Sequence, residues 1–279
     1  MNLPPQICEA LVEFGQQSDD ELDLAETALI LSTVDRPAVH LDSYRRHLQT
    51  LCDEVGAYMA GLPTPLDVEI CHEALVQVIF RRYGYIGGED SFDDPEAANL
   101  THVIDRRSGL PVVLGVIYIH VARHQGWIAE GLNFPGRFLL RLEVNSERLI
   151  MDPFVGGAAI NIQSLRDILK VVSGCHAELQ PELYQSVTAR AILLRIQNNI
   201  QNRMLRSERV EDAIEVIDTT LLFAPKFTHL WWEKATLLAR IDQIPKAILA
   251  LEQFLVHGRG TDSLYEASML LQELRQSLN

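Results

Sequence analysis

The chain is short of cysteine, short of cations and without a long apolar run, and each shortage excludes something. Its four cysteines, Cys8, Cys52, Cys71 and Cys175, lie far apart and form no CxxC pair. Neither a disulfide framework nor a thiolate metal site is predicted. The thiols are expected to be reduced and mostly packed as small apolar groups, with Cys175, after Ser173-Gly174, the candidate for exposure. Lys and Arg number 24 against 38 Asp and Glu, a net charge of −14. Nucleic acid and anionic membrane are therefore poor partner candidates. Residues 1–60 alone carry eleven acidic side chains against Arg36, Arg45 and Arg46, which predicts a solvated acidic face or, less simply, a surface for a basic protein. The longest apolar run, 112–121, contains Gly115, Tyr118 and His120 and is far shorter than the roughly 20 residues that span a bilayer. The opening residues MNLPPQICEA carry no basic segment followed by an apolar one, so no secretory signal is read and a cytoplasmic location is expected.

With 279 residues, 47% hydrophobic and 22% charged, the chain suits one or two globular domains. Residues 1–60 read as helices. Ile7, Leu11 and Phe14 recur at helical spacing, Ser18 or Asp20 is placed to cap a second helix through Leu31, and a third fits 41–58. Pro63 and Pro65 punctuate the chain before a fourth helix over 66–82. Residues 83–98 form a polar loop rich in Gly and Asp, followed by a short helix over 99–105.

The centre of the chain is the most informative part. Pro111 suits the first position of a helix, where its missing N–H costs nothing. Residues 112–123 are apolar nearly all round, so this helix is predicted to be buried under a sheet. Gly126 ends it. Strands are predicted over 127–133, 138–142 and 149–151, with a turn at Asn145-Ser146. Ser164 is placed to cap a helix reaching Val172.

From about residue 187 the chain reads as helical to its end, and it repeats. Val210 and Ile244, Ala213 and Ala247, Ile214 and Ile248, Ile217 and Leu251, and Leu221 and Leu255 all stand 34 residues apart. That is the tetratricopeptide period. Two repeats are read over 189–225 and 226–258, closed by a helix over 262–278. The predicted organisation is α+β: a helix-rich core with a small antiparallel sheet over 1–185, then an all-α repeat region over 186–279.

The buried helix, the strands and the closing Asp152-Pro153-Phe154 have the layout of a papain-like or transglutaminase-like core. The residues Asn99-Leu100, Arg106 to Pro111, Phe134-Pro135-Gly136, Phe138 to Arg141 and Asp152-Pro153-Phe154, with the 34-residue repeat, resemble the bacterial SirB-type family. The resemblance implies a transglutaminase-like core followed by tetratricopeptide-like repeats, and a fold more firmly than an activity. In transglutaminase-like catalysis a Cys opens the helix, a His follows on one strand and an Asp on the next. Here Val112 occupies the Cys place, Arg137 the His place, and only Asp152 remains. Valine offers no nucleophile and a guanidinium stays protonated, so it is no general base.

The candidate degenerate site is therefore Asn99, Arg107, Val112, Arg137 and Asp152. Arg137 and Asp152 are expected to pair across neighbouring strands, as an architectural salt bridge or as an anion site with Arg137 as ligand. Arg106 and Arg107 are expected to pair with Glu89, Asp90 or Asp105, or to serve an anion at a helix start. Cys71-His72 and Cys175-His176 are adjacent pairs, whereas a catalytic pair comes from separate elements. His120 and His124 share a helix face without an acidic third ligand, so no metal is predicted, and no cofactor is implied. In the repeats, His229 and Trp232 are the candidate partner contacts, with Trp231 assigned to packing. The expected function is a non-catalytic scaffold or regulatory protein acting through its repeats. The alternative is a hydrolase, a transferase or an anion-binding protein with a degenerate site around Arg137 and Asp152.

Overall fold

The computed structural model describes residues 3–62, 66–258 and 261–277; Pro63, Pro65 and Leu278 lie outside them. The chain forms two compact units: residues 18–196, and residues 1–17 together with 197–279. The architecture is α+β, helix-rich with one small antiparallel sheet.

In the first unit, α2 (Leu24–Asp35) is capped by Asp23, whose side chain accepts from the Glu26 amide. The expected cap Ser18 bonds Glu21 instead, because the intervening turn lets Asp23 reach the first free amides. Helix α3 (Leu41–Met59) buries Leu48, Leu51, Cys52 and Val55. Helix α4 (Val68–Leu75), capped by Asp67, continues as a π-helical stretch, Val76–Arg82. After two 3-10 turns come α5 (Leu100–Arg106) and α6 (Pro111–His124). Helix α6 buries ten of its residues, as an apolar helix beneath a sheet must.

The sheet has five strands in the order β4-β3-β2-β1-β5. These are β1 (Ile128–Leu132), β2 (Leu139–Val144), β3 (Glu147–Asp152), β4 (Ala158–Ile160) and β5 (Ser186–Val187), with every neighbouring pair antiparallel. Asn145 and Ser146 turn β2 into β3 with positive φ at both positions, the backbone a two-residue hairpin needs. Strands β4 and β5 have no counterpart in the sequence pattern; three and two residues are too few to show alternation. Helix α7 (Ile162–Ser173) is capped by Asn161, which accepts from the Ser164 amide, so the start falls earlier than Ser164.

One ring fixes how closely α6 approaches the sheet. A Cβ on Gly115 of α6 would meet the Phe138 ring at 2.5 Å, and one on Gly131 of β1 would meet it at 2.7 Å. Phe138 is therefore held between two glycines, and any side chain at either would push helix and sheet apart.

In the second unit, α1 (Pro5–Gln16) packs on α9 (Val210–Phe223). A Cβ on Gly15 would lie 2.4 Å from the Leu222 carbonyl oxygen. The last part of α8 (Ala189–Arg206) leads into α9, then α10 (Thr228–Arg240), α11 (Ile244–His257) and α12 (Thr261–Ser277). The 34-residue offset recurs in the backbone. Helices α9 and α11 start 34 residues apart. Glu208 and Asp242, also 34 apart, both have φ of 58°. The Arg209 amide donates to Met204 and the Gln243 amide to Leu238, each at 2.9 Å. Ala213 and Ala247 are both fully buried, where a small side chain lets helices approach.

Candidate functional site

Strand β3 ends at Asp152, and the chain then turns sharply through Pro153, Phe154, Val155, Gly156 and Gly157 into β4. Asp152 organises this loop. Its Oδ1 accepts from the Phe154 amide at 2.9 Å and its carbonyl from the Gly157 amide at 2.9 Å. Gly156 and Gly157 have φ of 62° and 78°, a conformation that suits glycine and lets the loop reverse. Space is equally restrictive. Added Cβ atoms would strike the Phe80 ring at Gly156 and the Tyr118 hydroxyl at Gly157.

Asp152 Oδ2 lies 2.7 Å from Arg137 Nη1. Arg137 follows the Phe134-Pro135-Gly136 turn, closed by its own amide donating to the Phe134 carbonyl. Gly136 has φ of 71°. The Asp152 side chain is 4% exposed and that of Arg137 45%. Both carboxylate oxygens are thus engaged, one by the Phe154 amide and one by the permanently charged Arg137 guanidinium.

Helix α6 packs against the Pro153–Val155 turn. Its first turn carries Val112, buried at 2% exposure. Cys52 and Cys71 are buried, and burial pushes their thiols up to about 12 and about 11, away from the reactive thiolate. Cys175 is exposed.

Two further side chains face the loop. His72 of α4 donates from Nε2 to the Gly157 carbonyl at 2.7 Å. Its neighbour Cys71 points into the core, since adjacent helical residues diverge by about 100°. Tyr118 of α6 is buried, its hydroxyl has no hydrogen-bond partner among the described residues, and burial pushes its phenol upward.

Asn99 and Arg107 lie in other environments. Asn99 caps α5: its Oδ1 accepts from the Thr101 and His102 amides and from the Thr101 hydroxyl, while its Nδ2 donates to the Ser32 carbonyl. Arg107 ends α5 in the left-handed conformation, φ 60°. Its guanidinium lies 4.8 Å from the Tyr85 ring centre, bonds the Tyr85 hydroxyl and donates to His47 Nε2 at 2.8 Å. Burial and the Arg107 charge hold His47 down at about 4. Residues 86 and 87 link the regions: the Ile86 amide donates to Arg107 and the Gly87 amide to Phe154. Arg106 pairs with Asp94 and Glu96 rather than with Glu89, Asp90 or Asp105; Asp105 is taken by Arg36. Among the described residues, no group of three or more His, Cys, Asp or Glu gathers to hold a metal.

The family model described as the transglutaminase-like superfamily matches residues 42–198. The chain belongs to that superfamily. It is 31% identical over 217 residues to a UPF0162 protein of Xylella fastidiosa, covering 74% of each chain. A UPF0162 protein of Vibrio cholerae is 28% identical over 239 residues, 85% of this chain and 87% of the relative. One from Haemophilus influenzae is 24% identical over 205 residues, covering 74% and 76%. The chain is thus also a member of the bacterial UPF0162 proteins. No solved structure matches it significantly. Within this transglutaminase-like fold, Asp152 in the loop after β3 is bonded to Arg137.

In the helical unit, α9, α10 and α11 enclose a groove of about 600 Å³. Ile214, Leu238 and Leu249 supply apolar lining, with Trp231, Lys234 and Lys246 beside them. Trp231 donates from its indole to the Pro225 carbonyl at 3.0 Å, and Lys234 sits over its ring while pairing with Asp218. Trp232 packs on Phe254 instead, with ring centres 5.7 Å apart. His229 is exposed beside Phe227. Among the described residues, no helix is long and apolar enough to cross a membrane.

Proposed function

We propose that this chain is a non-catalytic transglutaminase-like scaffold of SirB-type architecture, acting in the cytoplasm through protein contacts of its C-terminal helical pairs. The pairs are read as tetratricopeptide-like repeats. One observation carries the first half of the reading: both oxygens of Asp152 are engaged, one by the Arg137 guanidinium and one by the Phe154 amide. With valine at the helix start, no nucleophile and no base remain for acyl transfer at this place. The groove between α9, α10 and α11 supports the second half, because an apolar floor with charged walls suits a peptide segment.

Two measurements test it. A thiol reagent at neutral pH is expected to label Cys175 at the rate of an ordinary exposed thiol and to leave Cys52 and Cys71 until the protein unfolds. Fast stoichiometric labelling of Cys71 by an activity probe would restore an enzymatic reading. For the partner, cross-linking of the intact chain is compared with Leu249→Glu and Lys246→Glu. Leu249 is exposed, so the fold tolerates the change. Loss of one discrete cross-linked species in both variants supports the groove, and a species retained by both removes it from the proposal.

A further inference from the structure

The Arg137 guanidinium is anchored from behind and open in front. Nη1 is bonded to a buried carboxylate, and among the described residues its other N–H donors have no protein partner. The turn that carries it is firmly anchored. Phe134 and Phe138 on either side of its turn are fully buried, and Gly136 between them is held in the left-handed region. A guanidinium fixed in this way presents its remaining fork with little further loss of rotamer freedom.

Its surroundings are apolar and exposed. A Cβ on Gly136 would meet Val172 at 2.7 Å, so α7 reaches the turn. There Val171 and Val172 are 86% and 51% exposed. On the other side, the Phe154 amide shares the Asp152 carboxylate with Arg137. The Phe154 ring lies 5.1 Å from that of Phe92, which is 54% exposed, and Val155 follows at 50%. Single exposed apolar residues are ordinary. Here two exposed apolar patches adjoin the two segments that the Arg137–Asp152 pair joins, the turn at Gly136 and the loop at Phe154.

We infer that Arg137, with the apolar residues Val172 and Val155 beside it, binds the C-terminal carboxylate of a peptide or protein ending in an aliphatic residue. Charge complementarity selects the carboxylate. The arginine fork matches two carboxylate oxygens. Asp152 at 2.7 Å offsets part of the cation's field, so the apolar contacts, which inorganic phosphate cannot make, supply the rest of the selectivity. The apolar clusters then receive the last side chain. This inference does not depend on the groove in the helical unit.

The test uses the whole chain and fluorescein-labelled heptapeptides ending in Val, Leu or Ile, each as free acid and as C-terminal amide, read by fluorescence anisotropy. The free acids are expected to bind about tenfold or more tighter than the amides, the gap a fixed ion pair supplies. Arg137→Gln should remove that gap. Val172→Asp, at an exposed position outside the ion pair, should weaken the free acids while leaving the melting temperature unchanged. Acetate and inorganic phosphate serve as competitors and should displace the peptide weakly. Equal affinity for acid and amide, or an unchanged gap in Arg137→Gln, overturns the inference. Displacement by phosphate as strong as by peptide would replace it with a simple anion site. Because Leu249→Glu leaves this surface intact, binding that survives that change separates the two readings.

Discussion

Asp152 and Arg137 are bonded at 2.7 Å yet buried unequally, the aspartate side chain at 4% exposure and the arginine side chain at 45%. Their losses should therefore be unequal. Arg137→Ala leaves a buried carboxylate that still accepts the Phe154 amide, and is expected to destabilise by about 1–3 kcal/mol. Asp152→Ala removes the ion pair and the cap of the following turn together, and should cost more. Urea denaturation of the two variants checks the order. An Arg137→Ala protein as stable as the parent would show that the pair has no architectural role.

Tyr118→Phe is expected to raise stability by about 1 kcal/mol. The hydroxyl is buried with no hydrogen-bond partner among the described residues, and such a group pays a desolvation penalty that phenylalanine avoids at nearly the same shape. The readout is the urea midpoint. A fall instead of a rise would mean that something in solution bonds the hydroxyl.

His47 should make stability depend on pH in a defined window. Its folded value is about 4 against 6.5 when unfolded, chiefly through burial and then through Arg107. The unfolded chain thus takes up a proton first as pH falls. The contribution of neutral His47 is complete above pH 6.5, declines from there and levels off below about 4. His47→Gln cannot be protonated, so the stability difference between parent and variant should shrink between pH 6.5 and pH 4. A difference independent of pH would mean that His47 is not held neutral.

Ala213 and Ala247 occupy matching places in α9 and α11, and both are fully buried. Ala213→Leu and Ala247→Leu should each destabilise by about 1–3 kcal/mol through overpacking. The two losses should be similar if the repeat is structural as well as numerical. Thermal melts of the pair test this, and a loss confined to one position would break the equivalence.

Some of this protein was legible because its physics is local. An apolar stretch after Pro111 can only be a buried helix, and α6 begins there. Asn145-Ser146 between two β-type runs makes a hairpin whatever surrounds it. The 34-residue recurrence of small and apolar residues reappears as matched helix starts and matched left-handed turns. That Val112 offers no nucleophile and Arg137 no general base follows from residue type alone, since valine and arginine have no suitable protonation chemistry.

Tertiary structure decided what depends on distant partners. Asn99, Arg107 and Val112 sit near one another in sequence, but capping, stacking on Tyr85 and core packing give each a different setting. His72 and Tyr118 carry no local mark of their meeting at Gly157. Strands β4 and β5 exist because neighbouring strands offer them hydrogen bonds, and α1 because α9 covers its apolar face. Local periodicity fixes which residues must be buried; only the folded chain fixes against what, because each buried polar group takes whichever partner the packing brings within reach.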